Sequence, residues 1–414
     1  MPIGRQNYMT IAIDTTFFGH EETANKNLVN STSIFTADLL DEFSALGHAN
    51  NCTLIVSKNQ EAFFKERFPQ YKRLVLQWLP LTILNKISKG RFRGTKYIKK
   101  FGIYRRRIEK ERFDIIWFPF AGDYTFVKSN TPGVLTIHDL WSFHSNLNNF
   151  KGYKDILDEK RNTIVTISEY TKKDFIRIFN YKKEIAVIPN TIQVDISATA
   201  PVPELKNKFI LDINAYNEKK NPITLLKAFN RIKDDITHDL VFCDGYKDDA
   251  VYTELVDFIQ QNHLESRVRL FFKLPTEQRN FLLKNASLFV TPSLFEGFGR
   301  TPVEVAICGI PVISTKETSL YEATLGLVNY VENATDDKEL ADVMLEKIKH
   351  PDSPEELQSI AQALKNAYAL ETCARKYWNI FVATSDKRQA TITNTNLFIK
   401  HLASFSYQKY ERCA

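Results

Sequence analysis

Residues 286 to 314 read Ala-Ser-Leu-Phe-Val-Thr-Pro-Ser-Leu-Phe-Glu-Gly-Phe-Gly-Arg-Thr-Pro-Val-Glu-Val-Ala-Ile-Cys-Gly-Ile-Pro-Val-Ile-Ser, and this stretch constrains the fold more than any other. Leu288-Phe-Val is a short apolar run of the kind that makes a parallel strand covered on both faces, and Ile310-Pro-Val-Ile313 is a second one. Between them Thr301 is placed to cap a helix, Pro302 to stand at its first position and Gly309 to follow its last turn. Two strands bracketing one helix make a single crossover, which demands an α/β fold.

Gly297 and Gly299 let the backbone approach a ligand closely, and the first amides of a helix point outward with the positive end of its dipole. An anion fits there, most naturally a diphosphate. Glu296 and Glu304 flank the loop as acceptors for hydroxyl groups. Acceptor, anion cradle, acceptor is the order that a sugar nucleotide requires. Two plainer readings stand beside this one. Thr301-Pro-Val-Glu304 also matches a capping box, and Gly297-x-Gly299 resembles a dinucleotide fingerprint whose third glycine is replaced by Pro302.

The pattern Glu296-Gly-Phe-Gly-x-x-Pro-x-Glu304-x-x-x-x-Gly309-x-Pro-Val-Ile resembles the Glu-x7-Glu signature of retaining glycosyltransferases of family 4 (glycosyl transferases group 1). That resemblance implies the GT-B fold: two Rossmann-like domains with parallel sheets facing a central cleft, and a C-terminal helix crossing back to the first domain. It divides the chain into an acceptor-binding domain over 1–198, a nucleotide-sugar-binding domain over 199–383, and a helical tail over 384–414 that packs back on the first domain.

Length agrees, because 414 residues are too many for one ordinary core. Five cysteines scattered from Cys52 to Cys413 without close pairs argue against a disulfide framework or a zinc site, and so for a reducing, cytoplasmic compartment. No apolar stretch approaches the length of a membrane span, and the first residues lack the core of a signal peptide. A net charge of +6 is modest for this length and does not imply a nucleic-acid partner. Its distribution is uneven: twelve Lys and Arg fall between Lys86 and Arg112, interleaved with aromatic and aliphatic residues. This reads either as a solvated helix face or as a basic amphipathic surface in peripheral contact with anionic membrane.

Along the chain, Thr10-Ile-Ala-Ile13 opens the first sheet and is followed by a loop with Gly19 and His20, then a helix from about Ser33 to Leu46. The resemblance assigns that loop to the acceptor or the donor phosphates, although Ser31 to Ser33 stand where glycine is expected. Val134-Leu-Thr-Ile137 leads into His138-Asp139, at a strand's carboxyl end where open α/β sheets bind ligands. Read alone, His138 serves equally as a structural histidine; the resemblance places it against the reacting sugar, with Asp139 beside the acceptor. Ser168 reads as a helix cap of structural character. Thr191 to Pro203 reads as the interdomain linker. Residues 214–220 resemble the family's diphosphate-binding segment, with Lys220 in the lysine position but Ala215 where an arginine usually stands.

By that resemblance, Glu296 and His138 are the catalytic candidates. Lys220, Gly297, Phe298, Gly299, Arg300, Thr301 and Glu304 bind the donor, with Glu304 on the ribose hydroxyls, and Gly19, His20 and Asp139 meet the acceptor. No Asp-x-Asp triplet occurs, so no metal and no cofactor are expected. The implied reaction moves a hexose from a GDP- or UDP-sugar to a saccharide or lipid-linked glycan with retention. The missing arginine keeps open an impaired, nucleotide-sugar-binding scaffold of the same fold. An NAD(P)-dependent oxidoreductase using Gly297-x-Gly299 fits less well. The tail after 384 either packs in place or joins a second copy as a homo-oligomer.

Overall fold

The computed structural model describes residues 9–386 except 27, 29, 78–101, 122–128, 146–161, 214–215 and 246–247. In the first half, β1 (Ile11–Asp14), β2 (Cys52–Ser57), β3 (Lys72–Leu76), β4 (Ile115–Phe118), β5 (Gly133–Ile137), β6 (Thr163–Thr166) and β7 (Ile185–Val187) form one sheet in the order β3-β2-β1-β4-β5-β6-β7. In the second half, β8 (Phe209–Ile213), β9 (Asp239–Asp244), β10 (Val268–Phe272), β11 (Leu288–Thr291), β12 (Val312–Thr315) and β13 (Asn329–Val331) form another, in the order β10-β9-β8-β11-β12-β13. The pairings are parallel throughout, with Ile11 beside Cys52 in the first sheet and Phe289 beside Val312 in the second.

Helices α1 (His20–Ala24), α2 (Ser31–Ala45), α3 (Glu61–Arg67), α4 (Ile103–Glu111), α5 (Trp141–Ser145) and α6 (Glu169–Phe179) connect the first sheet. Helices α7 (Pro222–Ile232), α8 (Asp249–Gln261), α9 (Thr276–Asn285), α10 (Arg300–Ile307), α11 (Leu320–Ala323), α12 (Asp337–Lys349) and α13 (Pro354–Ala367) connect and cover the second, and residues 370–386 form a last helix, α14. Parallel pairing forces such crossovers, and helices on both faces explain why β1, β4, β5 and β11 are buried along their whole length.

Strand order reverses beside β1 in the first sheet and beside β8 in the second. Loops leaving neighbouring strands on either side of such a point diverge to opposite faces and open a crevice at the strands' carboxyl ends. The segments after β1, β4 and β5 meet at one crevice, and those after β8 and β11 at the other.

Two boundaries differ from those the sequence predicts. Helix α10 begins at Arg300, not after a Thr301 cap: Gly299 is the cap residue, at φ +89°, and Pro302 takes the third helical position. Pro302 is tolerated there because the first amides of a helix have no partner within it. Helix α2 begins at Ser31, because the Asn30 side chain accepts the Thr32 amide and starts the helix two residues early.

Helix α14 crosses back. Tyr377 and Phe381 are fully buried in the first sheet's core, with ring centroids 5.1 and 5.5 Å from that of Trp117. The Tyr377 hydroxyl lies 3.1 Å from Thr136 Oγ1, and Trp378 stacks on His48 at 3.6 Å. The first core is therefore closed by the last described helix.

Of the basic segment 86–112, residues 86–101 lie outside the described residues. In α4, Tyr104 and Ile108 are buried in the domain's own core, while Arg105, Arg106, Arg107 and Lys110 are exposed. Within α4, then, the apolar side faces its own domain and the charged side faces outward. Ala215 and the tail from 387, with Phe398, Leu402, Phe405 and Tyr407, also lie outside the described residues. Among the described residues no helix is long and apolar enough to cross a membrane.

Candidate active site

Because β8 and β11 are neighbours, the turn after β8 lies against the loop after β11. Asn217 caps a single 3₁₀ turn over Glu218–Lys220, and Asn221 follows at φ 55°. The Asn221 side chain donates to the carbonyls of Pro292 (3.2 Å) and Ala334 (2.7 Å), and the Leu294 amide donates to the Lys219 carbonyl at 2.8 Å. These bonds fix Lys220 opposite Glu296, and the two side chains form an ion pair. Each is little exposed, at 16% and 13%. The backbone of Glu296 is held from a third side: its amide donates to Thr318 Oγ1 and its carbonyl accepts from Ser319 Oγ, both at 2.9 Å.

Beyond Glu296 the loop is pressed onto the first domain. A Cβ built at Gly297 would lie 2.1 Å from the His138 carbonyl oxygen and 2.8 Å from Asp139 Cβ, so only glycine fits. The Gly297 carbonyl accepts from Ser168 Oγ (2.7 Å) and Thr171 Oγ1 (3.1 Å) on α6. Ser168 does cap α6, but it also grips the donor loop, which makes the structural label too narrow. Phe298 is buried with its ring against Tyr368, so what it offers a ligand is backbone.

Arg300 and Glu304 lie one turn apart on α10 and pair through Arg300 Nε at 3.2 Å, and Arg279 of α9 approaches the other carboxylate oxygen at 3.5 Å. The capping-box reading of Glu304 fails, because its carboxylate faces arginines and Gly299, not Thr301, holds the cap position. Thr301 is buried at the second helical position. Arg300 is 10% exposed, and its Nη1 is buried without a hydrogen-bond partner among the described residues. A buried guanidinium nitrogen without a protein acceptor is costly, which suits it to an acceptor arriving from outside. Asp38 of α2 lies within electrostatic reach of Arg300 and Glu304. Burial pushes its carboxyl up to about 6, with Arg300 opposing and Asp41 and Glu304 adding to the rise.

In the first domain, His138 Nε2 lies 2.8 Å from the Pro119 carbonyl oxygen. A carbonyl can only accept, so Nε2 carries the proton and Nδ1 of the neutral ring is left as an acceptor. Burial holds the His138 pKa below its ordinary value, against the Pro119 carbonyl and Asp139, which favour the charged form. The rings of Phe35 and Phe120 flank it at 5.4 and 5.9 Å. Asp139 is exposed and its Oδ1 accepts the Trp141 amide at 3.2 Å, starting α5.

The Gly19 amide donates to Glu22 Oε2 at 2.9 Å, and the same carboxylate accepts from the Asn30 amide and Ser33 Oγ, so Glu22 ties the opening loop to α2. His20 Nδ1 lies 3.4 Å from Asn59 Nδ2. The structure thus gathers Lys220, Glu296, Gly297, Gly299, Arg300, Glu304 and His138.

Sequence reasoning missed Arg279 and Asp38. Neither carries a sequence signal, because Arg279 meets Glu304 and Asp38 senses Arg300 only through tertiary packing. Among the described residues no group of three His, Cys, Asp or Glu side chains is placed to hold a metal ion.

Residues 197–364 match the family model for glycosyl transferases group 1, and residues 32–196 match that for glycosyltransferase family 4. The chain belongs to the GT-B glycosyltransferases. The O-antigen chain mannosyltransferase B of Escherichia coli is 24% identical over 245 residues, covering 56% of this chain and 63% of that protein. An uncharacterized glycosyltransferase of Methanocaldococcus jannaschii is 24% identical over 327 residues, covering 77% and 87%. Among solved structures, Anabaena HepE in complex with UDP and glucose superposes with a TM-score of 0.66 at 15% identity, over 91% of this glycosyltransferase and 100% of that chain.

Proposed function

We propose that this glycosyltransferase moves a hexose from a GDP- or UDP-sugar to a saccharide or lipid-linked glycan, with retention and without a metal. The observation that carries the reading is the Lys220–Glu296 pair at the strand-order reversal, beside the start of α10. A cation and a carboxylate held face to face with little exposure await a ligand that separates them. The diphosphate takes Lys220, the amides opening α10 and the buried Arg300 nitrogen, while Glu296 accepts hydroxyls of the sugar. Such charges, fixed before reaction, stabilise a leaving group where its charge develops.

In the transfer, the acceptor hydroxyl oxygen bonds to the anomeric carbon as the bond to the diphosphate breaks. The electron pair leaves with the nucleoside diphosphate, and the acceptor's proton goes to the departing phosphate oxygen on the same face. The neutral His138 ring positions a sugar hydroxyl through Nδ1, and Glu304 turns from its arginines to the ribose. Arg300 stands in for the cation that Ala215 does not supply. The mannosyltransferase relative favours a mannosyl donor, and the UDP bound by HepE keeps UDP-sugars in view. The exposed basic side of α4 fits a purely electrostatic contact with an anionic membrane carrying the acceptor.

The test is to incubate the purified protein with UDP-, GDP-, TDP- and CMP-sugars without acceptor and follow nucleotide release. Slow hydrolysis of one donor, lost in Glu296→Ala, is expected. Binding without cleavage, even with a glycan acceptor panel added, would favour the scaffold.

A further inference from the structure

The donor loop is held by more than its own domain. At the first turn of α6, Ser168 and Thr171 bind the Gly297 carbonyl at 2.7 and 3.1 Å. One face away, the carboxylate of Glu322, on α11 of the second domain, accepts the amides of Glu169 (2.7 Å) and Tyr170 (3.2 Å). Those are two of the amides that a helix leaves without internal partners, and a carboxylate is the side chain best suited to them. Phe295, just before Glu296, sits in an aromatic pocket of the first domain, with ring centroids 5.0 Å from Trp141, 5.1 Å from His144 and 5.9 Å from Tyr170. Ser319, which holds the Glu296 carbonyl, and Glu322 belong to one short segment. The same turn of α6 therefore fixes the donor loop directly and the segment supporting it through Glu322.

We propose that Glu322 is a positioning residue that pins the two domains together at the start of α6. In the pinned state, Glu296 and Gly297 are held in register with His138. With the pin broken, the donor still binds the second domain, but the reacting groups are out of register. This rests on the donor binding proposed above, and it goes beyond that proposal by assigning the alignment of the site to a contact between domains.

The test compares wild type, Glu322→Gln and Thr171→Val, using UDP-glucose and GDP-mannose as donors. Glutamine keeps one acceptor but turns a donor toward one of the two amides, so the pin is weakened without adding bulk. Thr171→Val removes the hydroxyl that reaches Gly297 and that lies 2.9 Å from Ser168 Oγ, and leaves the Glu322 contact in place. Expected are a kcat about tenfold lower for each variant, a donor KM within about twofold of wild type, an unchanged melting profile, and a larger radius of gyration by small-angle scattering in Glu322→Gln. An unchanged kcat, an unchanged radius of gyration, or a rise in KM at constant kcat would overturn the proposal. If wild type cleaves neither donor, the proposed function fails for these donors, and the scattering comparison alone decides whether Glu322 pins the domains.

Discussion

Gly297→Ala isolates the contact between domains from everything else in the site. The glycine does not occupy the left-handed region, so alanine meets no conformational penalty of its own there. What it meets is the His138 carbonyl oxygen, 2.1 Å from the new Cβ. A carbon and a carbonyl oxygen rest at about 3.3 Å, so the loop and the His138 turn must separate by roughly 1 Å. Neither neighbour is a flexible side chain: the obstacle is backbone, with Asp139 Cβ behind it at 2.8 Å. Separation on that scale at a reacting centre costs about 10²-fold in rate, or about 2.7 kcal/mol of barrier. Nucleoside diphosphate release, measured against donor concentration, should show kcat falling by that factor with donor KM little changed. A kcat within about threefold of wild type would refute the reasoning, because the loop would then relax without help from the first domain.

Other expectations follow from the same geometry. Lys220→Ala leaves Glu296 as a little-exposed carboxylate without its partner, and should lower both stability and kcat, the latter by about 10²-fold or more; steady-state kinetics and chemical denaturation check it. Asp38 has a pKa raised to about 6 by burial, so its protonated form is favoured by folding. Its contribution is therefore favourable at low pH and is lost as pH rises through about 4 to 6. Asp38→Asn should flatten that slope and be the more stable protein above pH 6, by up to about 3 kcal/mol in denaturation curves. Phe381→Ala opens a cavity against Trp117 and Phe43 and should destabilise the first domain by about 3–5 kcal/mol, seen in urea unfolding.

The sequence by itself determined the α/β class, the two sheets and the donor loop. Each is a local matter: a buried parallel strand is an uninterrupted apolar run, and Glu296 to Glu304 occupy one turn and the helix it starts. Even there the helix starts two residues before the expected position, because the left-handed Gly299 and not Thr301 forms the cap. Only the tertiary structure decided what the loop touches. Lys220 and Glu296 are 76 positions apart and meet because β8 and β11 are adjacent. Ser168 looked like a helix cap and is one, but its second bond reaches 129 positions to Gly297 in the other domain. Tyr377 and Phe381 close a core whose strands lie in the other half of the chain. Periodicity and spacing record which face of an element is apolar, and they hold no record of which strand lies beside which or how two domains meet. Those are set by the summed packing of the whole chain.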